Sequence, residues 1–499
     1  MKLEELLKNV NVLNILGNKD IEIKGIEINS KKVFKNCLFA AITGFKKDGH
    51  DFAAEAAGMG AAAILTEKFL ELEGQTTQVL VKNCRKALPA VSRNYYGNPT
   101  GLLRLCGITG TNGKTTTVFL TDSIFKAAGL KTSFITTVKA EMAGRPMEFE
   151  RTTPESNDLN RFFSASVLAG ADCACMEVSS HSIDLSRVDW LNFETLVFTN
   201  LTQDHLDYHK DMENYFEVKK RLFNPVFRHI YGGKYAAVNI DDPYGKKIAE
   251  YTDLKLFTYS IRDKNASICP DNISSSIDGI KMDVIINPPA HSNLKPSKFS
   301  VNSNLCGFFN VYNILAAICA ACASGINTAD IIHGVEAMQG VTGRFEKIKL
   351  DKNIYAIVDY AHTPDGLENV LKTANSLLKP GSSLICVFGC GGDRDTKKRK
   401  IMGSIAALLA DFSIITSDNP RSEDPLSIIA MIEKGFKQHK ETVYYIEADR
   451  KKAIYMALSM ARNNDIVLIA GKGHENYQEF NGRRIHFSDQ ETVREWNVN

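Results

Sequence analysis

Short continuous apolar runs recur along this chain, and stretches with helical spacing separate them. One run at residues 102–108 precedes a stretch at 118–125 whose apolar positions repeat every three to four residues, until Gly129 ends it. Apolar runs bounded by turn residues are typical of strands buried in parallel sheets. The pattern therefore predicts an α/β fold. In the last third of the chain the same alternation predicts strands at residues 355–359, 384–388, 412–416 and 466–470.

Shifts in this pattern predict three domains. Residues 1–100 carry short strand-like runs and form a small N-terminal α/β domain. Residues 101–343 form a central P-loop domain with a mostly parallel sheet and helices, in which the Ser-, Asn- and Pro-rich segment 260–305 adds antiparallel strands. Residues 344–499 form a C-terminal Rossmann-like, doubly wound domain. We expect short strands in the first domain at residues 21–28, 37–42, 61–65 and 79–81.

Composition excludes several classes of protein. The 499 residues include 60 Lys and Arg against 58 Asp and Glu, so no bulk charge favours nucleic acid or membrane partners. The most apolar segment, residues 314–326, is shorter than the ~18 residues that indicate a membrane span. The first residues carry charges where a signal peptide needs an apolar core. We expect a soluble, cytoplasmic monomer that binds neither nucleic acid nor membrane.

The cysteines do not indicate a disulfide framework. Eleven are spread along the chain, and only Cys319 and Cys322 match a C-x-x-C spacing. Because these two lie in an Ala-rich, helix-forming stretch with no second pair nearby, small buried helix residues are favoured over a redox or zinc site.

The sequence Gly107-Ile-Thr-Gly-Thr-Asn-Gly-Lys-Thr-Thr-Thr117 lies between the predicted strand and helix. Glycines let backbone N–H groups point into one cavity, and a helix N-terminus adds its positive dipole end. Lys114 would neutralise the outer phosphates and Thr115 would contact magnesium. Ile108 stands where the strict motif has glycine, so the loop is a variant. A flexible glycine turn is the alternative, but the context favours a nucleoside triphosphate and Mg²⁺.

Polar residues follow the next two predicted strands. Glu177 ends an apolar run, which is the usual place for a second magnesium contact beside a phosphate loop. Asp204, His205 and Asp207 follow another run and are candidates for metal or substrate contact.

Lys219 has an unusual environment. Apolar residues three and four positions before and after it place this lysine on the inward face of a predicted helix. A lone inward lysine is unfavourable unless it is paired or neutral. The alternative is that its side chain extends to solvent.

Each strand of the predicted C-terminal sheet ends in a polar or glycine cluster, where ligands bind in open α/β sheets. The dinucleotide spacing G-x-G-x-x-G fails because Arg394 occupies the last glycine position. The clusters lie at residues 359–365, 389–395, 418–421 and 471–475.

In their order along the chain these blocks resemble the Mur ligases, ATP-dependent enzymes that form amide bonds in peptidoglycan precursor synthesis. The resemblance covers essentially the whole chain. It rests on G-T-N-G-K-T-T, E-V-S-S-H, D-H-L-D-Y-H, Y-x-x-x-K-x-x-L-F, G-x-x-N-x-x-N, G-R-F-E, D-Y-A-H-T-P-D, G-C-G-G-D-R-D and D-N-P-R. The last two, with G-K-G-H-E at 471–475, resemble the members that add the third amino acid.

The resemblance implies a role for individual residues. The catalytic set is Lys114, Lys219, His205 and Glu177, and the metal ligands are Thr115, Glu177, His205 and Lys219, the last as a carbamate. ATP would contact Gly110, Thr111, Asn112, Gly113, Lys114, Thr115, Thr116, Asn310, Arg344 and Asp359. The UDP-linked substrate would contact Ser30, Thr152, Thr153, Ser179 and Arg187. The amino acid would contact Arg394, Asp418, Asn419, Pro420, Arg421, Gly471 and Glu475.

The resemblance also implies substrates and a reaction. ATP, with Mg²⁺, would phosphorylate UDP-N-acetylmuramoyl-L-alanyl-D-glutamate, and the acyl phosphate would react with an amine. Arg421 resembles the arginine of members that add meso-diaminopimelate, because a guanidinium fork suits its extra carboxylate. The Asn29-Ser30-Lys31 segment departs from the usual Asp-Ser-Arg. The alternatives are a lysine-adding ligase or, in a different class, a P-loop switch or binding module.

Overall fold

The computed structural model describes residues 1–44, 47–72, 74–149, 151–439 and 441–498. These residues form two compact units. The first contains residues 1–270, 284–299 and 312–334, and the second contains residues 271–283, 300–311 and 335–499. Each unit is a mixed α/β structure, as the sequence predicts. The boundaries at residues 100 and 343 stay a prediction.

The N-terminal part of the first unit has its own five-stranded sheet. Its inner strands are parallel, and an antiparallel strand forms one edge. Apolar side chains of the sheet and helices, among them Leu6, Leu38, Leu65 and Leu88, form one buried cluster. In sheet order the strands are Val12–Leu16, Thr77–Val81, Ala63–Thr66, Leu38–Ala40 and Ile26–Glu27, and the helices are Leu3–Leu6, Ala53–Gly58 and Cys84–Tyr95.

The central sheet of the first unit is parallel over most of its width. In sheet order its strands are Lys255–Tyr259, Gly232–Asn239, Phe193–Phe198, Arg104–Thr109, Cys173–Glu177, Thr132–Ile135, Ala140–Met142 and Arg145–Met147. The last two are antiparallel. The strand Ile268–Ser276 pairs with the first of them, and Gly279–Ile286 and Ser297–Ser303 follow in the strand order.

Helices follow most of these strands and bury the sheet. Phe162, Phe163, Phe193, Phe198 and Phe216 are fully buried in the core. The helices are Lys114–Ala127, Ser156–Leu168, Ser180–Asp184, Leu206–His209, Met212–Lys220, Arg228–Tyr231, Pro243–Tyr251, Phe309–Ala323 and Thr328–Ala337. Cys319 and Cys322 are buried free thiols on one of them, as predicted. Within the described residues no helix is long and apolar enough to cross a bilayer.

The second unit contains a six-stranded sheet with a buried apolar cluster on each face. In sheet order the strands are Glu346–Lys349, Tyr355–Asp359, Ile466–Ala470, Leu384–Phe388, Phe412–Ile415 and Val443–Ile446, and only the first is antiparallel. The helices are Pro364–Leu377, Lys397–Leu409, Pro425–Phe436, Arg450–Met460 and Asp489–Val498, and Tyr477–Phe480 pairs with Arg483–His486 as a hairpin.

Four strands predicted in this unit are present, and each predicted strand in the first unit overlaps an observed one. The edge strands Val12–Leu16 and Val443–Ile446 were not predicted. Both expose apolar side chains: Leu13 is 58% exposed and Val443 is 45% exposed. Neither strand therefore shows the alternation that marks a half-buried strand.

Arg450 and Asp489 form a buried ion pair between the last two long helices. Both side chains are fully buried, and the guanidinium donates to both carboxylate oxygens at 2.8 Å. It also donates to the carbonyl oxygens of Ser417 and Ala470, at the ends of two strands. Buried charges are tolerated when paired and hydrogen-bonded in this way.

We predict that Asp489→Ala lowers the free energy of unfolding by about 3 to 5 kcal/mol, because the buried Arg450 charge loses its partner. Urea denaturation followed by circular dichroism measures this change. Glu495→Ala is the matched control, since Glu495 pairs with Lys451 between the same helices but in an exposed position. A small effect of Asp489→Ala, equal to that of the control, would contradict the prediction.

Candidate functional site

The backbone between Arg104–Thr109 and Lys114–Ala127 curls tightly at two glycines. Gly110 has φ 148° and Gly113 has φ 86°, values that side-chain-bearing residues rarely adopt. A Cβ atom on Gly110 would overlap Thr199 Oγ1, and one on Gly113 would overlap Asn313 Oδ1. Strand, glycine loop and helix N-terminus have the arrangement that binds phosphate groups.

Residues distant in sequence hold this loop. Asn200 O accepts from the Thr111 N–H at 2.8 Å, and Thr199 Oγ1 donates to Asn112 O at 2.7 Å. The Thr111 hydroxyl lies 3.2 Å from the Tyr215 hydroxyl. Thus the segment after the Phe193–Phe198 strand and the helix carrying Tyr215 both shape the loop.

Lys114 begins the helix after the loop, and its side chain folds back over it. The ammonium donates to the carbonyl oxygens of Gly110 and Thr111, at 3.0 and 2.7 Å. Thr115 and Thr116 follow in the buried first turn. The Lys114 cation thus lies over the loop at the N-terminus of a helix, an arrangement that suits a chain of phosphates.

Glu177 lies beside the loop at the end of its strand, as predicted. Its carboxylate accepts from the Thr115 hydroxyl at 2.8 Å and from the Thr137 N–H at 2.8 Å. The side chain is buried, yet among the described residues no lysine or arginine forms an ion pair with it. A buried carboxylate beside a hydroxyl provides the hard oxygen atoms that Mg²⁺ prefers.

Lys219 lies inward on the Met212–Lys220 helix and is only 1% exposed, so the prediction of an inward side chain is confirmed and extension to solvent is excluded. Its amine donates to Gly110 O at 3.0 Å and lies 4.9 Å from the centre of the Tyr215 ring. Burial, and then the nearby Lys114 charge, hold the pKa of this amine well below its ordinary value. The surroundings of the Lys219 amine against the phosphate loop therefore favour its neutral form.

His205 lies near the His181 imidazole as well as the Asp204 carboxylate. Its ring centre lies 4.9 Å from that of His181, and its nearest ion-pair partner is Asp204 at 3.4 Å. Burial lowers the pKa of His181 and of His205. Neutral imidazoles of this kind can accept a proton or ligate a metal ion. Within the described residues no group of three or more His, Cys, Asp or Glu side chains is placed to hold a metal.

Three of the residues predicted to contact the UDP-linked substrate lie together. The Thr153 hydroxyl donates to Glu177 O at 2.9 Å and lies 3.3 Å from Ser179 Oγ. Arg187 donates to Thr153 O at 3.2 Å. Thr152 is linked through Thr137, whose hydroxyl contacts both Thr152 and Glu177. Ser30 is buried in the N-terminal part of the first unit, in a short 3₁₀ turn that Asn29 caps.

Sequence reasoning missed Glu155. This buried carboxylate pairs with three arginines, Arg85, Arg151 and Arg187, from separate parts of the first unit. The sequence Arg151-Thr-Thr-Pro-Glu155 carried only a local signal, because Arg85 and Arg187 are distant in the chain.

The second unit carries the remaining predicted ATP contacts. Asp359, at the end of its strand, accepts from the N–H groups of Phe345 and Ala361, each at 2.7 Å. Burial raises the pKa of this carboxyl, and the Arg344 charge opposes that rise. The Arg344 guanidinium lies over the Tyr360 ring, 5.0 Å from its centre. Asn310 is buried in the first turn of its helix.

The predicted amino-acid contacts form a polar cluster where the strands of the second unit end. Asn419 Nδ2 donates to Glu475 at 2.9 Å. Lys472, which was not predicted, is fully buried and donates to Asn419 Oδ1 and Glu475, each at 3.2 Å. Asp418 lies 3.7 Å from the same ammonium. Gly471 has φ 118°, and a Cβ atom there would lie 2.8 Å from Asp418 Oδ2.

Arg421 lies beside this cluster. Its guanidinium donates to Gly392 O at 2.7 Å and lies 3.8 Å from the Glu479 carboxylate. Arg394 is exposed on the loop that contains Gly392, and this loop packs against Pro420. The structure thus places two arginines, an amide and a carboxylate at one end of the sheet.

Three family models match the chain. They are the Mur ligase family, catalytic domain, over residues 22–96, the Mur ligase middle domain over residues 108–321, and the Mur ligase, glutamate ligase domain over residues 343–473. The glycine loop, Glu177, His205 and Lys219 lie within the second match, and Arg394 and Arg421 within the third.

Curated relatives match the chain along its whole length. The UDP-N-acetylmuramoyl-L-alanyl-D-glutamate--2,6-diaminopimelate ligases of Syntrophomonas wolfei subsp. wolfei and Clostridium tetani are each 42% identical to it, over 99% of both chains. A solved structure of a ligase with this name is 31% identical, has a TM-score of 0.70, and matches 100% of this chain and 99% of its own.

A more distant structure shares the fold. The MurF ligase from Thermotoga maritima in complex with ADP is 18% identical, with a TM-score of 0.60 over 89% of this chain and 93% of its own. With matches to all three family models and full-length relatives at 42% identity, the chain belongs to the Mur ligase family of ATP-dependent, amide-bond-forming ligases.

Proposed function

We propose that this enzyme adds meso-diaminopimelate to UDP-N-acetylmuramoyl-L-alanyl-D-glutamate, with ATP and Mg²⁺, in cytoplasmic peptidoglycan precursor synthesis. The observation that carries the substrate assignment is Arg421, held beside the Asn419–Glu475 pair where the strands of the second unit end. The names of the full-length relatives agree with this assignment.

The proposed reaction has two steps. The side-chain carboxylate of the D-glutamyl residue attacks the γ-phosphorus of ATP, the bond to the β-phosphate oxygen breaks, and ADP leaves. An amine of diaminopimelate then attacks the acyl phosphate carbonyl, and the tetrahedral intermediate expels phosphate. The amine loses a proton as the amide forms. Lys114 and the loop N–H groups would offset charge on the transferring phosphoryl group, mainly by positioning and electrostatics.

Thr115 and Glu177, beside the loop, provide part of a magnesium site. Thr115 and Glu177 offer a hydroxyl and a buried carboxylate 2.8 Å apart, and His205 offers a neutral imidazole. Bound Mg²⁺ would supply charge stabilisation for phosphoryl transfer. The resemblance to the Mur ligases implies a fourth ligand, Lys219 as a carbamate, beside the waters and phosphate oxygens that Mg²⁺ usually keeps.

Lys219 suits that modification. Only a neutral amine attacks carbon dioxide, and burial lowers the pKa of the Lys219 amine, which favours that form. The nitrogen forms a bond to the carbon and loses a proton, which gives an anionic carbamate. We propose that this carbamate ligates magnesium, so that the conversion turns a buried amine into an anionic ligand.

The amino-acid site supports discrimination between diaminopimelate and lysine. Diaminopimelate carries one more carboxylate at its far end, and the Arg421 fork can pair with it through two parallel hydrogen bonds. Lysine lacks the carboxylate that would make these two bonds. Arg394 and Glu475 would take the other carboxylate and the distal amino group, with Asp418, Asn419 and Pro420 shaping the site and Gly471 allowing close approach.

The alternatives remain testable. A lysine-adding ligase would use lysine at least as well as diaminopimelate. A P-loop switch would hydrolyse ATP without either substrate, whereas a ligase should release phosphate only when both the UDP-linked dipeptide and the amino acid are present.

Gly110→Ala should abolish ATP turnover, because the added methyl group overlaps Thr199 in a backbone conformation that alanine avoids. Gly129→Ala is the matched control: its φ of 76° also favours glycine, but the space around it is open. The control should lose only about 1 to 2 kcal/mol of stability and keep its ATP affinity. Assays of phosphate release and nucleotide binding measure ATP turnover and ATP affinity in both variants. Normal turnover in Gly110→Ala would contradict the proposed phosphate-binding loop.

Lys219→Ala should lower the ligation rate by ~100-fold or more without unfolding the protein, because an anionic magnesium ligand is lost. A short-chain carboxylic acid should restore part of the rate by supplying a carboxylate. The neighbouring Lys220→Ala, whose lysine is partly exposed and pairs with Glu217, should ligate normally. Near wild-type ligation by Lys219→Ala would eliminate the carbamate hypothesis.

The unmodified enzyme should use diaminopimelate ~100-fold or more in preference to lysine, since lysine forgoes the charge-assisted hydrogen bonds that Arg421 offers to the extra carboxylate. Arg421→Ala should remove most of this preference. Competition between the two amino acids, with product mass spectrometry, measures the ratio directly. Equal use of lysine by the unmodified enzyme would refute the assignment of the amino acid.

A further inference from the structure

Arg399 is a fully buried arginine on the Lys397–Leu409 helix, outside the set of residues assigned above. Its guanidinium donates to both oxygens of the Glu423 carboxylate at 2.8 Å and to Gly391 O at 3.2 Å. Glu423 and Gly391 belong to different loops. We call residues 389–395 the Arg394 loop and residues 418–424 the Arg421 loop, after the arginine that each presents. One side chain therefore ties the two loops together.

Further hydrogen bonds extend this tie. The Glu423 carboxylate also accepts from the Asp393 N–H at 2.6 Å, and the Asp393 carboxylate accepts from the Ser422 hydroxyl at 2.6 Å. The Gly392 N–H donates to Asn419 O at 2.9 Å. The Arg394 loop and the Arg421 loop thus form one hydrogen-bonded body, with the Arg399–Glu423 ion pair at its buried side.

Both loops contain backbone that needs external support. Asp393 and Arg421 each have φ 53°, a left-handed conformation that is unfavourable for residues with a side chain. Such conformations persist where the surroundings fix them. Arg421 N donates to Glu479 O at 2.9 Å, and Asn481 N donates to Arg421 O at 2.7 Å. The Arg399–Glu423 ion pair holds the Arg421 loop at Glu423, two residues after these backbone bonds.

Only an arginine can make this connection. The fork pairs with both oxygens of Glu423 while a third N–H bond reaches Gly391, and a lysine ammonium has neither the planar shape nor the reach for all three. The Arg399 hydrogen bonds and the Asp393 N–H lower the pKa of Glu423 to about 2, so its carboxylate stays ionised at neutral pH.

We propose that Arg399 and Glu423 are positioning residues for amino-acid selectivity. Their ion pair fixes the Arg421 loop against the Arg394 loop, so that the Arg421 guanidinium stays aimed at the distal carboxylate of the amino acid. This inference rests on the proposed diaminopimelate-adding function. Neither residue contacts the substrate. Loosening the pair therefore changes the choice between diaminopimelate and lysine more than it changes the reaction with ATP.

Arg399→Lys and Glu423→Gln test the inference in the full-length enzyme. The selectivity ratio, kcat/KM for diaminopimelate divided by kcat/KM for lysine, should fall by about 10- to 100-fold in each variant, as is typical when support around a ligand-binding group is lost. KM for diaminopimelate should rise, whereas KM for ATP should stay unchanged. The double variant should be no worse than the poorer single variant, because both remove the same interaction.

Glu433→Gln is the matched control. Glu433 also pairs with a cation, Lys437, in the same unit, but it contacts neither loop. Its selectivity ratio should equal that of the wild type. Because the Glu423 side chain is 27% exposed, Glu423→Gln keeps the test available if Arg399→Lys fails to fold.

Three outcomes would overturn the inference. An unchanged ratio in Glu423→Gln would show that the pair does not position Arg421. A proportional loss of activity with both amino acids, alongside a lower unfolding midpoint, would assign the pair a purely structural role. A wild-type enzyme without any preference would contradict the proposed function itself, and that result is visible before any variant is made.

Discussion

The site of the first unit depends on hydrogen bonds that the phosphate loop receives from distant segments. Thr199 and Asn200 hold its backbone, Tyr215 meets the Thr111 hydroxyl, and the Lys219 amine donates to Gly110 O. These contacts keep the glycines in conformations that isolated loops do not maintain. The segment after the strand that ends at Phe198 and the helix that carries Lys219 therefore fix the shape of the loop. The central parallel sheet brings these segments together at one edge.

The same packing around the loop also affects the ionisation of a nearby lysine. Lys114 and Lys219 both donate to the Gly110 carbonyl, and enclosure of Lys219 lowers the pKa of its amine. Glu177 is a buried carboxylate that needs a nearby cation, and Lys219 is a buried amine that has to be neutral or chemically modified. The proposed magnesium ion and carbamate meet both requirements. The apolar spacing of this helix, which is visible in the sequence, therefore determines that Lys219 faces the proposed site.

The sequence predicts those features that depend on local pattern. Buried parallel strands such as Cys173–Glu177 are continuous apolar runs, and the inward position of Lys219 follows from helical spacing alone. Edge strands such as Val12–Leu16 lack that signal because one face and one edge are exposed. Glu155, Lys472 and Arg399 were missed for a different reason. Each is a charged residue with at least one partner far away in the chain, and no periodicity marks such a residue.

The buried charged side chains of the second unit have similar positions and partners. Arg399, Arg450 and Lys472 are each fully enclosed, and each joins segments that follow different strands. Replacing a buried ion pair by apolar residues is often neutral or stabilising, so burial of charge is weak evidence for a role in stability. What an apolar contact lacks is direction, whereas a guanidinium fork fixes both the distance and the orientation of its partners. The strand-end loops of this sheet carry non-glycine residues in left-handed backbone, including Arg421 itself, and directional ties are what such loops require. The buried charges are therefore better explained by the need to hold these loops in place for ligand binding than by a gain in stability.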